Sequence, residues 1–248
     1  MTDNAADSEE RLRRDLAAAF RLAVQWDMAE GICNHFTARL PGNAGFLLNR
    51  HGLHWREVSA SNLVRIVPGS NELALQDDDD KVAYHIHAPV YRRRPEIGCV
   101  LHTHMPYATA LCMKDGGRLA MALQTATLFH DRIAYDDSYP ASVAAAGANE
   151  GERLADALAE RDVLFMRSHG ILVCGATVAA AVHDLYYLER ACRMQWLAAA
   201  YGGADALIPQ DALERQKAVH ARWGNRYKIE HFEALKRLLD RDEPDYAA

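Results

Sequence analysis

The chain has 248 residues, of which 50% are apolar and 25% are charged. These proportions are typical of a globular protein and exclude a disordered, collagen-like or coiled-coil chain. Lysine and arginine number 28 against 34 acidic residues, a formal net charge of -6, which argues against a nucleic-acid-binding surface. The 12 histidines are the unusual feature, because histidine is the commonest metal ligand and titrates near neutral pH.

Targeting signals are not apparent in the sequence. The first 14 residues are polar and acidic, without the apolar core of a signal peptide, and no run of about 18 apolar residues predicts a membrane span. The five cysteines have no CxxC spacing and lie mostly among apolar residues. We therefore expect a cytoplasmic protein with reduced, buried cysteines and no membrane partner.

The residue pattern in the first half of the chain predicts a helix, three strands and a second helix. Apolar residues recur at helical spacing over residues 8–30, and Gly31 ends the pattern. Short segments bounded by Gly, Pro or Asn follow and predict strands joined by turns: HFTARL, GFLLNRHG and LVRIV. The next helix is expected over Lys81–Arg94, because a helix tends to end before a proline such as Pro95.

The second half continues the alternation of strands and helices. Strands are predicted at GCVLHTH, at RIAYDD and as a pair in VLFMRSHGILVCG; helices are predicted over residues 107–114, 144–160 and 177–201. No Rossmann glycine pattern is present, so the prediction is a mixed α/β fold. We expect residues 1–248 to form one domain, with residues 205–248 as a helical tail that packs on a neighbouring element or subunit.

Three histidines are candidate metal ligands. His102 and His104 lie two residues apart in a predicted strand, so their side chains point to the same face. Pairs of this kind also occur on solvated strand faces, but His169 lies in a predicted strand–turn–strand tip and could approach from another part of the fold. Three imidazoles would leave an open position on the metal for a substrate.

The other histidines lack ligand spacing. His85 and His87 would lie about 200° apart around a helix axis and could not share an ion. His87 shares a side with Tyr84 and Tyr91, which favours a buried, hydrogen-bonded histidine. Ordinary surface or core roles are expected for the histidines of helical or loop surroundings: His130, His183, His220 and His231.

Several segments together resemble the class II aldolase/adducin superfamily, over residues 9–205. The matching segments are FTAR, LNRHG, ASNLVRI, HAPVYRRRPEIGCVLHTHMPYATAL, RSHGILVCG and LERACRMQ, and HFEALKRLLDR is similar to the tail of the adducin-like branch. The resemblance implies a three-layer α/β/α sandwich around a mostly antiparallel sheet, and a ring-shaped tetramer with its active site at a subunit boundary. It also implies a divalent metal on His102, His104 and His169, commonly zinc, with manganese or iron as alternatives.

The sequence departs from the sugar-phosphate aldolases of this superfamily at their Ser-Ser-Glu motif. In those enzymes the serines help hold phosphate and the glutamate moves a proton. The corresponding residues here are Lys81, Val82 and Ala83, so the base is missing, and with it a contribution of roughly 10²–10⁴-fold in rate. The Gly-Asn pair of the phosphate pocket is replaced by Asn34 and His35.

These departures indicate a substrate other than a sugar phosphate. We expect a metal-dependent carbon–carbon lyase, either a decarboxylase or a retro-aldol enzyme, acting on a small oxygenated acid or carbonyl compound. Candidate proton donors or orienting groups are Tyr84, His35, Gln124 and a neighbouring subunit's Tyr227, and Lys81 could pair with a substrate carboxylate. Two alternatives are an Fe(II)-dependent oxygenase and a non-enzymatic interaction module like the adducin head domain.

Overall fold

The structure is a computed structural model that describes residues 5–67, 69, 78–139, 148–203 and 205–248. Its seven strands in those ranges are β1 His35–Arg39, β2 Phe46–Leu48, β3 Val64–Ile66, β4 Cys99–Thr103, β5 Ile133–Asp136, β6 Val163–Met166 and β7 Ile171–Gly175. Its α-helices there are α1 Ala5–Gln25, α2 Asp78–Arg93, α3 Pro106–Cys112, α4 Ala148–Leu158, α5 Val178–Ala199 and α6 Gln210–Asp242.

The strands form one sheet in the order β3-β2-β1-β4-β7-β6-β5. Every neighbouring pair is antiparallel except β5 and β6, which are parallel. Helices α1, α3 and α5 cover one face of the sheet, while α2 and α4 pack together on the other. This three-layer α/β/α arrangement confirms the fold predicted from the sequence.

Alternation along the strands assigns each side chain to a layer. In β4, Cys99 and Leu101 belong to the core under α1, whereas Val100 belongs to the core under α2. His102 therefore lies on the α2 side, because successive strand residues point to opposite faces. In β1, Phe36 belongs to the α1 side, so its neighbour His35 shares the α2 side with His102.

The structure differs from the sequence-based prediction at the boundaries of several elements. Helix α1 ends at Gln25, five residues before the predicted end, because Asp27 takes a left-handed backbone conformation with φ 59°. The predicted helix over residues 144–160 is seen as α4, and its first four residues lie outside the described part. Cys33 is exposed, whereas the other four cysteines are buried as expected. In the described residues, no helix is both long and apolar enough to cross a membrane.

Candidate metal centre

The three candidate ligands converge at one end of β4. One ligand nitrogen each from His102, His104 and His169 lies within 4.8 Å of the other two. Their ring centroids are separated by 4.9–5.1 Å. His102 and His104 come from the end of β4 and the residue just beyond it, and His169 comes from the β6–β7 turn. We call these residues the histidine triad.

The β6–β7 turn brings His169 close to the end of β4. Ser168 takes a left-handed conformation with φ 55°, and the His169 N–H donates to the Met166 carbonyl over 3.1 Å. The next residue, Gly170, lies against the His104 ring: a Cβ there would be 2.5 Å from His104 Cδ2. Only glycine leaves room for this approach, which explains the HG pair found in the sequence.

Hydrogen bonds orient two of the three rings. Nδ1 of His102 donates to the Ile171 carbonyl at 3.0 Å, which leaves its Nε2 lone pair for another partner. Nδ1 of His104 is hydrogen-bonded to a Glu30 carboxylate oxygen, and its Nε2 is buried without a partner in the described part of the chain. Such pairing of Nδ1 is common in metal-ligating histidines.

The charge state of the triad also fits a metal ion. Burial, and then the neighbouring histidines, hold the pKa of His102 well below its usual value. Burial followed by the His104 charge lowers the pKa of His169 to about 4. Both rings are therefore neutral at pH 7, the form that binds a metal. A divalent cation would also satisfy the partnerless His104 Nε2.

Comparison with known proteins identifies the family. Residues 14–196 match the Class II Aldolase and Adducin N-terminal domain. The chain belongs to this family. It is 32% identical to an adducin-related protein of Schizosaccharomyces pombe over 97% of this chain and 77% of that protein. Class II aldolases are in general dependent on divalent metals.

Solved structures of the family share the fold. An aldolase II superfamily protein from Pseudomonas syringae has a TM-score of 0.84 and 31% identity, covering 97% of this chain and 96% of its own. L-fuculose 1-phosphate aldolase from Glaciozyma antarctica has a TM-score of 0.80 and 21% identity, covering 99% and 95% respectively. Both matches confirm the fold that the sequence resemblance implies.

The triad opens into a cavity of about 170 Å³, whose described lining includes Ala83. No lysine or arginine is found among its described lining residues, which are Ile32, Cys33, Asn34, His35, Asn49, His51, Val82, Ala83, Ile86, His102, His104 and His169. The described lining therefore offers neither the family's carboxylate base nor a cationic side chain.

His35 joins the triad to a buried hydrogen-bonded chain. Its ring centroid lies 4.9 Å from that of His102, and its Nδ1 lies 2.8 Å from His87 Nε2. Thr37 Oγ1 is 2.6 Å from His87 Nδ1 and 2.9 Å from the Tyr91 hydroxyl. Helix α2 supplies Ala83, His87 and Tyr91 from one face, because these residues are four apart.

The donor and acceptor roles in this series of hydrogen bonds follow from its buried end, Tyr91. Burial raises the pKa of Tyr91 well above its ordinary value, so the phenol keeps its proton. In the described part of the chain, its hydroxyl is hydrogen-bonded to Thr37 alone, so it donates to that oxygen. Thr37 then donates to His87 Nδ1, and His87 Nε2–H donates to His35 Nδ1. This series of hydrogen bonds leaves His35 with its proton on Nε2.

The other candidate residues lie elsewhere. Tyr84 is turned about 100° around α2 from Ala83 and packs on Phe46 with a centroid distance of 5.9 Å, so it does not line the cavity. Lys81 is also absent from the described lining, although the next residue, Val82, belongs to it. The structure therefore does not bring either residue to the triad.

Gln124 and Tyr227 line a second cavity, between α5, α6 and the short helix Gln124–Phe129. Its described lining shares no residue with the triad cavity. The Tyr227 side chain is 42% exposed, and its hydroxyl lies 3.4 Å from that of Tyr187. The two candidates share this cavity, and neither lines the triad cavity of the same subunit.

Proposed function

We propose that the protein is a divalent-metal-dependent carbon–carbon lyase of the decarboxylase or retro-aldol type. The single observation that carries the proposal is the convergence of three histidine nitrogens on a cavity in which Ala83 stands at the family's glutamate position. The triad would hold the ion, zinc above all, with manganese or iron as alternatives. A reaction that begins with bond cleavage rather than proton abstraction needs no base at Ala83.

The cavity favours a small acid or carbonyl compound without phosphate. A phosphate dianion is normally bound by arginine, lysine or several backbone N–H groups. The described lining holds no such cationic side chain and combines imidazoles and amides with the apolar Val82, Ala83 and Ile86. We infer a 2-oxo carboxylate, whose oxygen pair can chelate the metal and whose C4 is a carboxylate carbon or carries a hydroxyl group.

A bound metal ion would supply Lewis-acid stabilisation of the enolate that develops as the carbon–carbon bond breaks. The electron pair of the C3–C4 bond passes into the enolate of the 2-oxo group. Carbon dioxide departs from a 4-carboxylate, or an aldehyde departs from a 4-hydroxy compound whose hydroxyl proton passes to water. His35 presents Nε2–H beside His102 and donates a hydrogen bond to the developing oxyanion. The buried chain from Tyr91 keeps His35 in this donor tautomer, so we assign it to substrate binding.

Gln124 and Tyr227 would act across a subunit boundary. The sequence resemblance implies an active site at a subunit boundary. Gln124 and Tyr227 lie on an accessible surface, beside Trp223, which is 59% exposed. We propose a homotetramer in which they face the triad cavity of a neighbouring subunit. Gln124 would orient the substrate, and the Tyr227 hydroxyl would donate a proton to the enolate carbon and recover one from water.

Activity of the metal-loaded protein tests the function. Protein loaded with Zn²⁺, Mn²⁺ or Fe²⁺ is given 2-oxo and 2-hydroxy acids and their phosphorylated counterparts, and released carbon dioxide and aldehyde are measured. We expect turnover of an unphosphorylated acid, loss of it in His102→Ala and retention of it in His130→Ala. Oxygen consumption with iron would support the oxygenase alternative instead. A protein that takes up none of these metals and turns over none of the compounds would favour an adducin-like interaction module.

Mixed oligomers test the shared site. His102→Ala and Tyr227→Phe should each be inactive alone, because each removes one half of the composite site. After the two are unfolded together and refolded, hybrid oligomers should recover activity, since some boundaries then carry both intact halves. Light scattering on the same samples gives the subunit number. A mixture as inactive as its components would contradict the shared site and leave the triad assignment in place.

A further inference from the structure

The segment between α1 and β1 is bound to the end of β4 at three points. The Thr103 hydroxyl donates to the Met28 carbonyl, and the His104 N–H donates to Asn34 Oδ1 over 3.3 Å. The third contact is the hydrogen bond between His104 Nδ1 and a Glu30 carboxylate oxygen. A residue with no predicted role, Glu30, thus contacts the metal-binding triad directly.

Local structure holds Glu30 in this place. Gly31 takes a left-handed conformation with φ 59°, and the Cys33 N–H donates to the Glu30 carbonyl over 2.9 Å. The chain therefore turns back sharply between Glu30 and Asn34, so that both residues reach His104. The carboxylate arrives from the solvent side of the ring, opposite to the nitrogen that faces the triad.

The chemistry of this contact concerns which nitrogen of His104 carries the proton. A carboxylate accepts a hydrogen bond, so it favours the proton on Nδ1 and leaves the Nε2 lone pair free. A partner of this kind also fixes the ring orientation and strengthens the histidine as a ligand. We propose that Glu30 is a positioning residue, which holds His104 in the tautomer and orientation that bind the metal. This inference rests on the proposed metal-dependent function.

The His102 and His104 rings are held in different ways. His102 is held by the Ile171 backbone carbonyl, which no side-chain substitution removes. Among the described residues, Glu30 is the one carboxylate hydrogen-bonded to a triad histidine. Its side chain is 62% exposed, so the hydrogen bond contributes little to folding, and replacing Glu30 should act mainly on His104.

The test combines zinc affinity with the tautomer of His104 in metal-free protein. The variants are Glu30→Ala, Glu30→Gln and the control Glu10→Ala, whose side chain is also 62% exposed and pairs with Arg14 on α1. Zinc affinity is measured by competition with a chromophoric chelator. Long-range proton–nitrogen NMR correlations give the tautomer, and thermal melting of the metal-free form tests the fold.

We expect Glu30→Ala to bind zinc about 10–100-fold more weakly than the wild type, and Glu30→Gln, whose amide oxygen still accepts, to lose less. His104 should change from the Nδ1–H form towards a mixture in Glu30→Ala, while Glu10→Ala matches the wild type in both measurements. Equal melting of all metal-free forms would separate positioning from a purely structural role.

Two results would overturn the inference in distinguishable ways. If the wild type binds zinc and Glu30→Ala binds it within about twofold as tightly, with the His104 tautomer unchanged, Glu30 has no positioning role and the proposed function remains. If the wild type binds no divalent metal, the proposed function fails and the inference fails with it.

Discussion

Replacing Gly170 with alanine tests the packing that brings the β6–β7 turn to the end of β4. A Cβ at this position would lie 2.5 Å from His104 Cδ2 and 3.0 Å from the Thr103 carbonyl oxygen. The backbone of Gly170 is outside the left-handed region, so alanine meets no torsional strain. The effect of the substitution is therefore purely steric, and both obstructing groups belong to the metal centre or its strand.

The magnitude follows from how little these groups can move. The His104 ring is held at Nδ1 by Glu30, and the Thr103 carbonyl belongs to β4. Inserting a methyl group into such a site costs about 1–3 kcal/mol, or a decrease in Tm of roughly 2–12 °C for a chain of this size. Zinc affinity should fall by about tenfold or more, because the ring that supplies Nε2 is displaced.

A double-mutant cycle isolates the contact with His104. Urea denaturation of the metal-free wild type, Gly170→Ala, His104→Ala and the double variant gives the four free energies of unfolding. Removing the ring opens space for the methyl group, so the double variant should be more stable than the sum of the single losses by about 1 kcal/mol. Additivity within about 0.5 kcal/mol would refute the reasoning. So would a Gly170→Ala variant stabilised by about 0.4–1 kcal/mol, as at an unhindered glycine.

Two further predictions concern stability away from the triad. Asp184 is 1% exposed and binds Arg132 and Lys228 at 2.6 and 2.7 Å, so Asp184→Asn should lower the free energy of unfolding by about 3–5 kcal/mol in urea denaturation. The exposed control Asp211→Asn should leave it almost unchanged. Burial lowers the pKa of His183 to about 4, so at pH 5 the folded chain binds fewer protons than the unfolded chain. Lowering the pH from 7 to 5 should therefore decrease Tm, and less steeply in His183→Gln; equal slopes would contradict this.

The convergence of the three histidines could be predicted because their geometry is mostly local. Alternation in a strand places His102 and His104 on one side, and the HG pair in a hairpin indicates a close approach at His169. Here β4 and β7 are neighbours, so the turn and the strand end meet. The resemblance of residues 9–205 to the class II aldolase/adducin superfamily predicts the fold and the family, and both are confirmed.

Contacts between distant segments could not be predicted in this way. His87 was expected to be a buried, hydrogen-bonded histidine, and it is, but its partner His35 lies 52 residues away on β1. Glu30 lies 74 residues before His104, at the end of the predicted helix over residues 8–30, whereas α1 ends at Gln25. A glutamate followed by Gly31 and Asn34 gives a signal for a tight turn only. What the turn contacts depends on the packing of the whole sheet.

The placement of Tyr84 shows a different limit. Its chemistry suits a proton donor and its helix was predicted, but the side of the helix that faces the triad depends on tertiary packing. Ala83 and His87 lie on that side, and Tyr84 is turned away towards Phe46. Gln124 and Tyr227 share a cavity as a pair, and only a second subunit could bring them to the triad.

Metal content is the most direct test of the metal centre. Wild-type protein reconstituted with zinc and freed of excess ion should contain one zinc per chain by elemental mass spectrometry. His102→Ala and His169→Ala should contain almost none. His130→Ala is the matched control, because His130, Asp131 and Glu214 form a second group with metal-ligand spacing, and it should keep its zinc. Zinc retained in His102→Ala, or lost in His130→Ala alone, would contradict the assignment of the metal to the triad.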